Sequence, residues 1–335
     1  MKKNILLRSH FLYCLLSTVL LVMASSVYAQ NEDSLSGDEM EALGDVYYYG
    51  RNGKEVDLEK SLQWYQKAMD AGHKPAIYDV GYAYGYGEGV EQDEVKAFGL
   101  FTQSAEFGDS DGQYELALAY DNGYGTEQDL EKSVYWYKKS AEQGNIEAQY
   151  NLAYSYDFGE GVEEDNKMAF YWYQQSAEQG DPEAQNNLAA LYAEGEGTRE
   201  NDEQAVYWYE KAVAQGNLLS ASSLGGMYCN GEGVKADAEK ALSLLQTAID
   251  GGEGDAYSNL AYAYETGSCV EEDLDKAISL YRKGAELDDS YSLFSLGYAY
   301  QHGEGVRRNK SKAIEWYKKA VEQGSELAAE ALNDM

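Results

Sequence analysis

The chain has 335 residues, of which 59 are acidic and 26 basic, giving a net charge of −33. A chain this negative repels nucleic acid and anionic lipid surfaces, and it favours partners with a basic surface. Acidic composition can also indicate disorder, but 44% hydrophobic residues and 32 tyrosines are sufficient for a packed core.

The first 29 residues have the pattern of a cleavable secretory signal peptide. Basic residues at 2, 3 and 8 precede the apolar segment 11–23, and Ala29 ends a small-residue cleavage signal. The apolar segment is shorter than the about 20 residues that a membrane span needs, and no second such segment follows. The sequence therefore predicts a periplasmic protein without membrane insertion, beginning with an acidic leader at 30–35. Secretion from the cell is the alternative.

One loop recurs along the rest of the chain. The stretch YGYGEGVEQD at 84–93 returns as YDNGYGTEQD at 120–129, and eight versions occur in all, mostly 36 residues apart. A fixed period of this length is typical of a solenoid of stacked helical hairpins. The predicted units are 36–72, 73–108, 109–144, 145–180, 181–216, 217–252, 253–288 and 289–324, followed by a capping helix at 325–335.

Each unit is predicted to hold two helices. In the first helix, residues four positions apart share one apolar face, as Ala76, Val80 and Tyr84 do in the second unit. In the second helix, one position holds all five tryptophans: Trp64, Trp136, Trp172, Trp208 and Trp316. These rings could stack on sugars, but leucine takes the same position at 100, 244 and 280. We therefore interpret the column as core.

The recurring loop could bind calcium or phosphate, or only connect two helices. Its first glycine, such as Gly87, is present in every unit and stands where a helix end favours a left-handed residue. The aspartate at its end, such as Asp93, can cap the next helix, and asparagine replaces it at 201 and 309. A metal site would not exchange charge so freely. We interpret the loops as turns and predict no metal ligand.

The pattern L-G/A-x-x-Y-x-x-G-x-G-V-x-x-D-x-x-K-A-x-x-W-Y-x-K-A-A-E-Q-G resembles the Sel-1-like repeat, a relative of the tetratricopeptide repeat. The match covers 36–324 and is weakest in 253–288, where Cys269 replaces the second loop glycine. The resemblance implies an all-α fold, a right-handed α-solenoid that acts as an adaptor. Exported bacterial members are similar in serving envelope assembly, signalling control or host contact.

Catalytic signatures are absent after the signal segment: S-x-x-K, K-T-G and G-x-S-x-G do not occur. His73 and His302 stand far apart in sequence, and neither is beside a candidate nucleophile. We predict no enzyme, no catalytic residue and no cofactor. Three functions remain open: a periplasmic adaptor for a protein or peptide, a cell-wall enzyme or ligand-binding protein, and a secreted factor that acts on a host protein.

Partner binding is predicted on the first helices, which should line the concave face of the solenoid. Their sixth and tenth positions fall outside the apolar face, and they are aromatic in the early units and near the C-terminal end. These rings could anchor a partner, or they could only pack between neighbouring helices. The predicted partner-binding residues are Tyr78, Tyr82, Tyr114, Tyr150, Tyr154, Tyr262, Phe294 and Tyr298.

Charge is distributed unevenly among the units. Residues 145–180 contain seven acids and Lys167 as the one basic residue, whereas residues 289–324 contain six basic residues and four acids. The acidic units could attract a basic protein partner, or the charges could be ordinary solvated helix faces.

Two cysteines, Cys229 and Cys269, follow the signal segment. Equivalent points on packed neighbouring helices lie about 8–10 Å apart. A disulfide requires Cα atoms within about 7 Å. We therefore expect two free thiols.

Overall fold

The computed structural model describes residues 34–335, and these form an all-α repeat solenoid without strands. The predicted signal peptide at 1–29 and most of the leader at 30–35 lie outside the described residues. The helices are α1 (Gly37–Tyr48), α2 (Leu58–Asp70), α3 (Ala76–Tyr86), α4 (Glu94–Glu106), α5 (Ser110–Asn122), α6 (Leu130–Ala141), α7 (Ile146–Phe158), α8 (Asn166–Gln179), α9 (Pro182–Glu194), α10 (Asp202–Ala214), α11 (Leu218–Asn230), α12 (Ala238–Gly251), α13 (Gly254–Thr266), α14 (Leu274–Ala285), α15 (Ser290–His302), α16 (Lys310–Glu322) and α17 (Glu326–Asn333).

The described residues fall into two compact units, one ending at Trp172 and the other beginning at Tyr173. Consecutive helices pack against each other from α1 to α7 in the first unit and from α9 to α17 in the second. Odd-numbered helices are the first helices of the repeats, and even-numbered helices are the second. Within residues 34–335, no helix is both long enough and apolar enough to cross a membrane.

The recurring loops are turns between capped helices, as predicted. Gly87 ends α3 in a left-handed conformation with φ of 70°, and its N–H donates to the Ala83 carbonyl. The side chain of Asp93 then accepts a hydrogen bond of 2.9 Å from the Lys96 N–H at the start of α4. Since one residue closes a helix and the other opens the next, the loop's composition follows from local backbone requirements.

The tryptophan column belongs to the core. Trp64, Trp172 and Trp208 are buried, and Trp136 and Trp316 are half-buried. The most deeply buried rings are the tyrosines that follow three of these tryptophans, and Tyr281 at the same position in another repeat: Tyr137, Tyr173, Tyr281 and Tyr317. Their hydroxyls can be satisfied across the hairpin, as when Tyr281 donates to Glu265 at 2.6 Å.

The prediction of two free thiols is wrong. Cys229 at the end of α11 and Cys269 in the loop after α13 form a disulfide, with Cα atoms 4.8 Å apart. The expected distance of about 8–10 Å holds for equivalent positions of neighbouring repeats. Cys229 and Cys269 are not equivalent positions, because they are 40 residues apart in sequence and a repeat is 36 residues long. The second loop position lies against the preceding repeat, as Gly233 does against Asp202. Cys269 occupies this position and therefore reaches the end of the preceding repeat's first helix.

Candidate functional site

A cavity of about 240 Å³ opens in the first unit. Most of its wall comes from α1, α2, α3 and α5, and α7 contributes at one side. The wall contains tyrosines and carboxylates but no lysine, arginine or histidine. The tyrosines are Tyr48, Tyr49, Tyr65, Tyr78, Tyr82, Tyr86 and Tyr114, and the acids are Asp45, Asp79, Glu88, Asp111, Glu115 and Glu147.

Three of the predicted binding residues line this cavity: Tyr78, Tyr82 and Tyr114. All three are half-buried. Tyr78 also lies 6.3 Å from the ring of Phe101, measured between centroids, and so packs against the core of α4. The two interpretations of these rings are therefore compatible, since the same side chains pack between helices and form the cavity wall.

Two other predicted residues of the first unit, Tyr150 and Tyr154 on α7, are outside the cavity wall. Tyr154 is exposed, and its ring centroid lies 4.4 Å from that of Phe158, one helical turn further on. This pair repeats the arrangement of Tyr82 and Tyr86 on α3, whose ring centroids are 4.3 Å apart. The first unit thus has two stacked aromatic pairs on odd helices, one inside the cavity and one outside.

The remaining predicted residues belong to the second unit. Tyr262 and Tyr298 are both 40% exposed, and the ring of Tyr298 lies 4.2 Å from that of His302. Phe294 packs 5.7 Å from the buried ring of Tyr317. In this unit the sixth-position aromatic therefore covers the core of its own hairpin, and the tenth-position rings are exposed.

The sequence analysis missed the acids at the seventh position of the odd helices. Asp79 and Glu115 both stand there and line the cavity. From the first repeat to the eighth, this position reads Ala42, Asp79, Glu115, Asn151, Asn187, Ser223, Asn259 and Ser295. The signal is present in the sequence, because a carboxylate replaces a small or amide side chain in only two neighbouring repeats, but the aromatic columns do not show it.

Glu115 is the most enclosed of these acids, with 7% of its surface exposed. The hydroxyl of Tyr86 donates to its Oε2 at 2.9 Å. Burial raises the pKa of Glu115 to about 7, against the lowering effect of the Tyr86 hydrogen bond, and the charges of Asp111 and Glu147 raise it further. Near neutral pH this carboxyl is therefore divided between its protonated and ionised forms.

Asp79 lies in the same wall, one helix away from Glu115. Burial raises its pKa well above the usual range, and the nearby charges of Glu41, Asp45 and Asp111 add to the effect. No hydrogen bond or ion pair to Asp79 is found among residues 34–335. Because its neighbours are acids, a cation that entered the cavity would stabilise the ionised form of Asp79.

The tyrosines of the wall stay protonated under ordinary conditions. Burial raises the pKa of Tyr82 to about 12, and the charges of Glu88 and Glu115 contribute. Each ring thus offers a neutral hydroxyl and an electron-rich face. Together with the carboxylates, these groups can bind a cationic group by charge, by hydrogen bonding and by ring contact.

A separate group in the first unit has the composition of a metal site. Asp38, Glu41 and His73 each offer a ligand atom within 4.8 Å of the others. Nδ1 of His73 lies 3.4 Å from Asp38, however, and its Nε2 lies 2.5 Å from Glu41. Since each ring nitrogen faces its own carboxylate, the acids satisfy the histidine without an ion.

Comparison with known proteins gives one family and several similar structures. The Sel1 repeat model matches residues 40–73, 74–109, 110–145, 146–181, 182–217, 219–253, 254–289 and 290–325. The chain is 34% identical to c5321, a protective antigen present in uropathogenic Escherichia coli strains and displaying an SLR fold, with a TM-score of 0.67 over 88% of this chain. It covers 63% of that protein.

A second similar structure is a Sel1 repeat protein from Oxalobacter formigenes. The identity is 28% and the TM-score 0.56, and the similarity covers 94% of this chain and 90% of that one. Comparison with curated protein sequences gave no match.

Proposed function

The chain belongs to the Sel1 repeat family, whose members generally mediate protein–protein interactions, and we propose that it is a non-catalytic adaptor. Its partner is a protein or peptide with a basic surface, which docks on the odd-helix face of the first unit. Scaffolds of this family are typically non-catalytic.

One observation carries this proposal: the cavity wall combines seven tyrosines and six carboxylates with no basic side chain. Tyrosine suits a binding surface because it offers a large contact area with few rotatable bonds. The carboxylates favour a basic partner and speed its approach by long-range attraction. Exposed rings continue on α7 at Tyr154 and Phe158, so a partner anchored in the cavity has further surface to contact.

The proposed location is the periplasm, with secretion as the alternative. The signal-peptide pattern at 1–29 supports export. The Cys229–Cys269 disulfide supports an oxidising compartment, because such bonds are rare in proteins that remain in the cytosol.

Site-specific photo-cross-linking in the producing cell tests the proposal. A benzophenone side chain is placed at Tyr86, which is 49% exposed beside the cavity, or at Tyr135, which is 54% exposed on α6. We expect a discrete adduct from position 86, attached to a lysine- or arginine-rich segment of the partner, and none from position 135. Equal adducts from both positions, or none from position 86, would contradict the proposed docking face.

A further inference from the structure

We propose that the cavity of the first unit receives one arginine side chain of the partner, whose guanidinium pairs with Asp79 and Glu115 while its stem lies against the tyrosine rings. The inference rests on the proposed function, since it names the chemistry by which the docking face recognises its partner.

The first argument is the unmet demand of the carboxylates. No hydrogen bond to Asp79 is found among residues 34–335, and the charges around it are acids. In the same wall, Oε2 of Glu88 is buried without a hydrogen-bond partner. Buried acceptors without donors are costly, and buried charges without a counter-ion cost more. A guanidinium brings five N–H donors and a positive charge, and its planar fork can serve two carboxylates at once.

The second argument comes from how this chain treats its other tyrosines. The twelfth-position rings of most repeats are covered by a lysine of the same repeat, as when the Lys96 Nζ lies 3.7 Å from the centroid of Tyr84. The same arrangement occurs at Tyr47, Tyr120, Tyr228, Tyr264 and Tyr300. In the described part of the chain, Tyr78, Tyr82, Tyr86 and Tyr114 have no such cation. Tyr49 of the same wall is already covered by Arg51, whose Cζ lies 4.3 Å from the ring centroid. The other four rings leave room for such a contact with a partner's cation.

The third argument is size. The cavity has a volume of about 240 Å³. This is the space of one long side chain rather than of a folded peptide segment. Arginine fills it better than lysine, and only arginine combines a stacking plane for the Tyr82 and Tyr86 rings with a bidentate fork for the acids.

The test uses calorimetric titration of the purified protein with three capped tripeptides. Acetyl-Gly-Arg-Gly-amide is compared with its citrulline analogue, which has the same shape without the charge, and with its lysine analogue. We expect the arginine peptide to bind at least about tenfold more tightly than the citrulline peptide. Equal binding of arginine and citrulline overturns the inference, and equal binding of arginine and lysine overturns the assignment to a guanidinium.

Variants of the wall provide the second arm. Asp79→Asn and Glu115→Gln should each weaken arginine binding at least about tenfold. Both changes are compatible with folding, because asparagine already stands at this position in Asn151 and Asn187. Glu131→Gln, an exposed change on α6, should leave binding unchanged. Unchanged binding in Asp79→Asn would contradict the proposal.

The two proposals can fail separately. If the peptides do not discriminate but cross-linking from position 86 persists, the docking face stands and the arginine pocket is wrong. If both the discrimination and the cross-link are absent, the docking face is wrong as well.

Discussion

The odd helices of the two units differ at the same two positions of the repeat, and the difference changes how they pack. On α11 and α13 of the second unit, positions six and seven hold serine or asparagine, and these two helices pack directly against each other. Polar groups there bond to one another across helices, as when the Asn259 Nδ2 donates to the Ser222 Oγ at 2.9 Å. On α3 and α5 of the first unit these positions hold tyrosine and carboxylate, and the described odd helices of that unit make no comparably extensive contact.

This comparison explains the cavity without any change of backbone architecture. At position six, the tyrosine rings of α3 and α5 occupy more space between neighbouring helices than the serines of α11 and α13 do. The acids at position seven then face the space that the rings maintain. Ser222 and Asn259 satisfy each other across α11 and α13, whereas no hydrogen bond to Asp79 of α3 is found among the described residues.

The largest effect we expect is a loss of unfolding free energy when a core tyrosine is replaced by alanine. A cavity tyrosine should lose much less. Tyr137→Ala in the first unit and Tyr317→Ala in the second should each cost about 3–5 kcal/mol of unfolding free energy, because both rings are fully buried. Tyr82→Ala should cost at most about 1 kcal/mol, since its ring is half-buried at a cavity edge. Denaturant unfolding measures all three. A cost for Tyr82→Ala as large as that for Tyr137→Ala would make Tyr82 a core residue.

The disulfide should stabilise the second unit alone. Reduction, or the change Cys229→Ser with Cys269→Gly, is expected to remove about 2–4 kcal/mol from the stability of that unit. Most other repeats have glycine at the position of Cys269, so Cys269→Gly should not disturb the loop conformation. Hydrogen exchange measured by mass spectrometry would show faster exchange in α11–α13 and unchanged exchange in α3–α5. Equal loss of protection in both units would contradict the local effect.

Glu115 should make the stability of the first unit depend on pH. Its pKa is about 7 in the folded protein against 4.5 as the ordinary value, so the folded state holds the proton more tightly than the unfolded state. Stability should therefore fall as the pH rises from about 4.5 through 7, by at most about 3 kcal/mol. The hydrogen bond from Tyr86 lowers the pKa of Glu115, and the charges of Asp111 and Glu147 raise it. Glu115→Gln should make the unfolding free energy of the first unit depend less on pH. If the variant shows the same pH dependence as the wild-type protein in unfolding curves at several pH values, the assignment to Glu115 is wrong.

The smallest effect tests the role of side-chain size at position six. Ser222 is fully buried between α11 and its neighbours, so Ser222→Tyr should destabilise the second unit by about 1–3 kcal/mol through overpacking. Ser222→Ala is the matched control, because it removes the hydroxyl without adding volume. A tyrosine accommodated at no cost would mean that the spacing of the odd helices does not depend on this position.

The repeat architecture was predictable because its signals are local. Gly87 and Asp93 set one helix end and the next helix start, and Tyr84 repeats its position in every unit, so the period alone led to the solenoid. The disulfide was not predictable by the same reasoning, since it depends on how the loop of one repeat lies on the preceding repeat.

The cavity was found only in part for a related reason. Tyr78, Tyr82 and Tyr114 were predicted from an aromatic column, which is visible in sequence. Glu115 was not, because an acid is normally exposed, and its burial follows from the distance that the tyrosines keep between helices. A sequence shows which residue stands in a column, but not how much space its neighbours leave.

Proton release on binding tests the central claim most directly, namely that the open carboxylates of the first unit bind a partner's cation. Acetyl-Gly-Arg-Gly-amide is titrated into the protein at pH 7 in two buffers of different ionisation enthalpy. A guanidinium beside Glu115 and Asp79 favours the ionised form of Glu115, which is about half-protonated at this pH, so up to about half a proton should be released from Glu115 per peptide bound. Glu115→Gln should reduce this release. Peptide binding without proton release in the wild-type protein would contradict the account.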